Sequence, residues 1–168
     1  MNSIIIYKSK YGSTAQYAEW LRDETGFDLY EIKQCPTDLN KYDTVVIGSY
    51  IRAGRLVLAG WIRSHWQILQ QKTVLLMLVN VTVDEASQAK IVPQSLPDEI
   101  VRHIQVFPVY GRYLPSEMSS VDRTLIKVVA SVIKDPKVKQ ELLDDRDMVD
   151  KGNLKDLLAY VQKVQAMD

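Results

Sequence analysis

Five apolar runs recur along the chain, separated by segments of helical or polar character. Residues 3–7 (SIIIY), 42–49 (YDTVVIGS) and 73–81 (TVLLMLVNV) are short and nearly unbroken. Such runs read as strands buried on both faces of a sheet. Residues 27–33 (FDLYEIK) alternate apolar and polar, which suits a strand near a sheet edge. Residues 103–110 (HIQVFPVY) predict a fifth strand, and Pro108, which has no N–H to give a ladder, favours an edge.

Between these runs the period changes. Residues 15–24 predict a helix with Tyr17, Ala18 and Leu21 on one side, ended by Gly26. A second helix is expected over 56–70, a short one over 84–90, and a helical turn over 98–102 after a loop punctuated by Pro93 and Pro97. Residues 119–134 predict an amphipathic helix with Leu125, Val128, Val129, Val132 and Ile133 on one arc. Residues 135–152 read as a polar connection with one helical turn. A last helix, capped by Asn153, runs to about residue 166. Strand and helix therefore alternate in a single domain over 1–168, with an insert at about 112–120. That alternation predicts an α/β fold with a doubly wound, mostly parallel sheet.

Composition narrows the partners. Lys and Arg number 21 and Asp and Glu number 21, so the formal net charge is zero. A nucleic-acid binder would carry a basic excess. A small electron carrier docking through an acidic face would carry an acidic one. The single cysteine, Cys35, allows no internal disulfide and no CxxC motif, and reads as a passive thiol. His65 and His103 stand apart in sequence and predict no metal site. The run of Asp144, Asp145 and Asp147 around Arg146 reads as a solvated charge run. Trp20, Trp61 and Trp66 fall in helical segments and read as core or half-buried residues. No apolar run reaches the length of a membrane span, and the N-terminus has no basic start or cleavage signature, so a cytoplasmic protein is expected.

The segment Ser9-Lys10-Tyr11-Gly12-Ser13-Thr14 carries the most chemistry. It joins the first strand to the first helix, the place where ligands bind in open α/β sheets. Unpaired helix N–H groups, a glycine free to adopt positive φ, and three hydroxyls suit a phosphate, while Lys10 adds attraction at longer range. The loop has one glycine, so it is neither GxGxxG nor a Walker A loop. The same residues also serve as a plain helix cap by Ser13 or Thr14, and the six alone leave both readings open.

Residues 4–14 (IIIYKSKYGST) resemble the FMN phosphate loop of flavodoxin-like proteins. Residues 42–54 resemble the third strand and the first flavin-flanking loop of that family, and Leu78-Val79-Asn80-Val81 the end of its fourth strand. Gly111-Arg112-Tyr113 with the following insert and helix is similar to bacterial menaquinone-dependent protoporphyrinogen dehydrogenases and short flavodoxin-domain relatives. The resemblance implies a three-layer flavodoxin-like sandwich, a five-stranded parallel sheet of order 2-1-3-4-5, one FMN, and flavin redox chemistry with a place in haem synthesis.

Under that resemblance Ser9, Lys10, Tyr11, Gly12, Ser13 and Thr14 hold the phosphate. Ser49, Tyr50, Ile51, Arg52, Ala53 and Gly54 cover one ring face. Asn80, Val81 and Thr82 meet the pyrimidine edge, and Gly111, Arg112 and Tyr113 close the site, with Tyr113 a candidate second aromatic. Tyr50 and Arg52 also read as an ordinary surface pair. Arg52, Arg55 and Arg112 are candidates for substrate carboxylates, because guanidinium forks match them. No acid–base residue stands out. The partners expected are a porphyrinogen-like substrate and a quinone, or, for an electron carrier, a redox partner protein. A flavin-fold interaction module is a third reading. Residues 119–134 either pack on the sheet or make peripheral contact with a membrane.

Overall fold

A computed structural model describes residues 2–81 and 85–166, the side chains of 85–88 excepted. In chain order the elements begin with β1 (Ser3–Tyr7), α1 (Ser13–Thr25), β2 (Asp28–Glu31), β3 (Thr44–Arg52) and β4 (Arg55–Leu56). They continue with α2 (Ala59–Ser64), α3 (Trp66–Leu69), β5 (Thr73–Asn80), α4 (Glu85–Ser95), α5 (Asp98–His103) and β6 (Gln105–Tyr110). The last are β7 (Arg112–Tyr113), α6 (Ser120–Val132), α7 (Pro136–Leu143), β8 (Arg146–Asp147) and α8 (Lys155–Gln165).

The main sheet has the order β2-β1-β3-β5-β6, with every one of these pairs parallel. This is the expected 2-1-3-4-5 order, renumbered because the two-residue β4 pairs antiparallel with the end of β3. The unbroken apolar runs arise from alternation. In β1, Ile4 and Ile6 enter one core with Val45, Ile47, Leu76 and Leu78, roofed by Leu58, Ile62, Val92 and Ile100. Ile5 enters the other with Val46, Leu75 and Met77, roofed by Tyr17, Leu21, Leu157 and Val161. A strand that feeds two cores has no solvent face to keep polar. The edge strands are β2, which is half-buried, and β6, which accommodates Pro108.

Several sequence expectations are corrected. The stretch expected as the flavin-flanking loop is a hairpin: β3 runs on to Arg52 and turns through Ala53 and Gly54, both at positive φ (49° and 72°). The helix expected over 56–70 divides at His65 into α2 and α3, where the imidazole Nδ1 lies 2.9 Å from the Trp61 carbonyl oxygen and the ring stacks on Trp61. The helix expected over 84–90 extends to Ser95 with Pro93 inside it, while Asp84 lies outside the described residues. Asn153 does not cap the last helix. Its amide donates to the Tyr17 hydroxyl and the Met148 carbonyl, and Asp150 accepts from the Gly152 N–H instead.

The largest departure is α6. Both faces of the sheet are already covered, by α1 and α8 on one side and α2 to α5 on the other. The insert carries α6 away from the sheet, and of its residues only Ala130 is buried. Val121, Leu125, Val128, Val129 and Val132 are exposed, Val121 and Val132 by more than 70%. The stripe that reads as a core face is a surface. The polar connection after it is also more ordered than expected. It forms α7 and then β8, which pairs antiparallel with β7.

Candidate cofactor-binding site

The sheet reverses its direction of growth at β1, and a cavity of about 350 Å³ opens beyond the carboxyl ends of β1, β3 and β5. Its walls come from the loop after β1, the β3 hairpin, the end of β5, residues 111–113 and α6. Parallel strands end together, so residues far apart in sequence meet here without long loops.

The loop after β1 has the local chemistry of an anion cradle. Gly12 is the N-cap of α1 at φ 87°, a conformation costly for any residue with a Cβ, and no side chain caps the helix start. Plain capping by Ser13 or Thr14 is therefore not what these hydroxyls do. The Ser13 hydroxyl accepts from the Arg112 N–H at 2.9 Å and keeps its own proton to donate. Ser9 Oγ is buried with no hydrogen-bond partner among the described residues. A buried hydroxyl without a partner costs about 1–3 kcal/mol, and one on a cavity wall that also holds an uncapped helix start would be satisfied by a bound phosphate oxygen.

Close approach of the backbones completes the cradle. A Cβ on Gly111 would stand 2.9 Å from Val79 Cγ1 and 3.7 Å from the Ser13 Cβ, so only glycine lets this strand end lie against the loop. Gly111 N–H donates to the Asn80 carbonyl at 2.7 Å, which binds the ends of β5 and β6 together.

Of the residues expected at the site, Ser9, Lys10, Tyr11, Ser13 and Thr14 line the cavity, as do Tyr50, Ile51, Arg52, Ala53, Asn80 and Val81. Gly111, Arg112 and Tyr113 line it as well. Gly12 shapes the loop from behind. Gly54 serves the hairpin turn and does not reach the cavity. Ser49 is also absent from the wall. It is fully buried, and its hydroxyl accepts from the Leu58 N–H at 3.2 Å. Thr82 lies outside the described residues. Arg55 is exposed on β4 and does not line the cavity.

Sequence reasoning missed one whole wall. Met118, Leu125 and Ile126 contribute apolar surface, and Asp122 contributes a carboxylate. Asp122 accepts from Lys10 Nζ, from the Tyr11 hydroxyl and, at 3.0 Å, from Arg52 Nη2. The hydrogen bond from Lys10, then that from Tyr11, holds the carboxyl down to about 2, well below the usual range. Lys10 is therefore engaged by Asp122, not left free for a phosphate. Arg112 is engaged in the same way, its Nε donating to Asp147 at 2.7 Å. The Tyr113 hydroxyl donates to the Leu142 carbonyl at 2.7 Å, burial raises its pKa, and Arg146 lies over its ring. The aspartates of the charge run are exposed, as expected, and also have partners: Asp147 holds Arg112, Asp145 accepts from Ser116, and Asp144 accepts from Gln140.

A pH dependence follows. A carboxyl depressed in the folded state adds stability above its unfolded pKa of about 4 and loses it as pH falls towards the folded value. The stability difference between wild type and Asp122→Asn is expected to be constant from pH 7 to about 5. It should shrink between about pH 4 and pH 2. Urea unfolding of both proteins across that range checks it.

A family model described as a flavodoxin domain matches residues 4–140. The chain belongs to the flavodoxin-domain family. Some solved structures are similar to it at low identity. One is a flavoprotein from Lactobacillus acidophilus in complex with FMN, 15% identical, with a TM-score of 0.49 over 65% of this chain and 91% of that one. A WrbA-like flavodoxin from Agrobacterium tumefaciens is 18% identical, with a TM-score of 0.49 over 72% and 87%. A flavoprotein from Bacteroides eggerthii is 22% identical, with a TM-score of 0.44 over 77% and 98%. No curated protein matches the chain. FMN is the cofactor that this family membership assigns, and the unpartnered Ser9 hydroxyl, the uncapped helix start and the close-packed Gly111 fit its phosphate end.

Proposed function

We propose that the protein is an FMN-dependent oxidoreductase that takes reducing equivalents from a substrate and passes them to a quinone-type acceptor, as the resemblance to menaquinone-dependent protoporphyrinogen dehydrogenases suggests. The observation that carries the reading is the exposed apolar face of α6 at the mouth of the cavity. Leu125 belongs both to the cavity wall and to the exposed stripe, so apolar surface is continuous from the pocket to solvent. A lipophilic acceptor could use such a surface, while Arg52 and Arg112 on the rim suit substrate carboxylates.

FMN supplies one- and two-electron transfer when bound. The residues of this chain orient and shield. Ser9, Ser13 and the first N–H groups of α1 would hold the phosphate. Tyr50 and Ile51 would flank the ring on the β3 side, and Ile126 and Met118 would exclude water on the α6 side. Among the described residues no helix is long and apolar enough to cross a membrane. A peripheral contact through α6 accordingly belongs to this proposal: Val121, Val128 and Val132 would meet the acyl boundary, flanked by Arg123, Lys127 and Lys134.

The second reading is an electron carrier with no substrate of its own. The pairing of Lys10, Arg52 and Arg112 with Asp122 and Asp147 favours it, because these rim cations already have partners. Anaerobic turnover of protoporphyrinogen with a menaquinone analogue separates the two. The oxidoreductase reading predicts catalytic oxidation that is saturable in both substrates, and flotation with anionic-lipid vesicles that Val128→Ser weakens. Flavin reduced only through a partner reductase, with no quinone turnover, would establish the carrier.

A further inference from the structure

The three donors that converge on Asp122 come from two separate walls of the cavity. Lys10 and Tyr11 belong to the phosphate loop, and Arg52 to the β3 hairpin. Asp122 itself sits in the first turn of α6, where its N–H donates to the Ser119 hydroxyl at 3.3 Å. Its side chain is only 13% exposed, whereas those of Lys10 and Arg52 are 30% and 56% exposed. One carboxylate thus joins α6, which lines one side of the cavity, to the phosphate loop and the β3 hairpin.

Apart from its packing against α7, the rest of α6 is lightly held. Ala130 is its single buried residue, and its apolar stripe faces solvent. The Ser119 N–H adds a 3.4 Å contact to the same Tyr11 hydroxyl, so the remaining polar tie from the start of the helix leads to the same junction. Arg123 reaches only the carbonyls of Ser116 and Met118, within the insert itself. A helix without a buried face opens with small free-energy cost unless specific contacts pin it.

We propose that Asp122 is the latch of a lid formed by α6. Its carboxylate pins the helix over the flavin pocket through Lys10, Tyr11 and Arg52, and so sets the rate at which FMN leaves and enters. This inference rests on the cofactor reading given above. Asp122 is a positioning residue: it acts through the helix and need not touch the flavin. Because two of its partners are partly exposed, the latch is weakened by salt.

The test is the rate of FMN release from the loaded protein. Release is followed by recovery of free-flavin fluorescence after dilution of the loaded protein far below its dissociation constant, where rebinding is negligible. Asp122→Asn keeps the side-chain shape but loses the charge-assisted bonds, each worth more than a neutral one. Release is expected to be about tenfold faster than in wild type. Arg52→Gln should accelerate it less. The double variant Asp122→Asn/Arg52→Gln should release no faster than Asp122→Asn alone, because both changes break one junction.

Wild-type release should also quicken between low and high salt, and release from Asp122→Asn should not. The salt series on wild type and Arg52→Gln decides the matter even where Asp122→Asn folds poorly. A wild-type protein that binds FMN stoichiometrically, but whose variants release it at the parental rate, or whose release ignores salt, overturns the latch alone. A wild-type protein that takes up no FMN overturns the cofactor reading and the latch with it.

Discussion

Replacing Ser9 with Ala is expected to weaken FMN binding by about tenfold to a hundredfold, while the FMN-free protein becomes no less stable. The two effects have opposite signs because the hydroxyl has no partner among the described residues. Ser9 Oγ is buried and unpaired, so deleting it removes a desolvated polar atom whose burial costs about 1–3 kcal/mol. With a phosphate bound, the same hydroxyl would donate a charge-assisted bond worth about 1.5–3 kcal/mol, and its loss appears in affinity. Flavin titration and thermal unfolding of the same two proteins measure both quantities. Weaker binding with a fold that is also destabilised would mean that Ser9 supports the loop and does not serve a ligand. Unchanged affinity would place the phosphate elsewhere.

Replacing Tyr17 with Phe should destabilise the protein by about 2–3 kcal/mol, the largest stability effect expected of a single atom in this chain. Tyr17 is fully buried in α1. Its hydroxyl donates to the Tyr110 carbonyl at 2.6 Å and accepts from the Asp150 N–H at 3.1 Å and the Asn153 amide at 2.7 Å. One atom thus ties α1 to the end of β6 and to the turn before α8. Deleting it strands three polar groups, although those near residue 150 can be rehydrated. For a protein of this size the loss corresponds to a fall in Tm of roughly 4–12 °C. Tyr110 immediately precedes Gly111 in the cavity wall, so FMN affinity should fall as well. Differential scanning calorimetry with and without FMN reads both. A Tm within a degree of wild type would show that the hydroxyl network contributes nothing net.

What could be read from sequence was what is encoded locally. The phosphate loop was legible because its chemistry lies in six consecutive residues. The strands of the sheet were legible because burial on two faces leaves an unbroken apolar run. The β3 hairpin was hidden because Ala53 occupies a left-handed position usually marked by Asn or Asp, so the turn lacked its usual signature. The break at His65 was hidden because the apolar spacing of Leu58, Ile62 and Leu69 continues through it. The exposure of α6 could not be read from period at all. An apolar stripe records that a helix has a face to cover, not that the fold has room for it. Asp122 was the least legible. A single acid in the first turn of a helix is what the helix dipole favours anywhere, and its partners Lys10 and Arg52 lie 112 and 70 residues away.

The central claim is that the cavity at the ends of β1, β3 and β5 is an FMN site. The visible absorption spectrum of the purified protein, taken after incubation with excess FMN and desalting, tests it most directly. Flavin bands at close to one FMN per chain are expected, lost in parallel with the affinity change in Ser9→Ala. A colourless protein that keeps its fold would contradict it, and would make the cavity and the exposed face of α6 features of an interaction module.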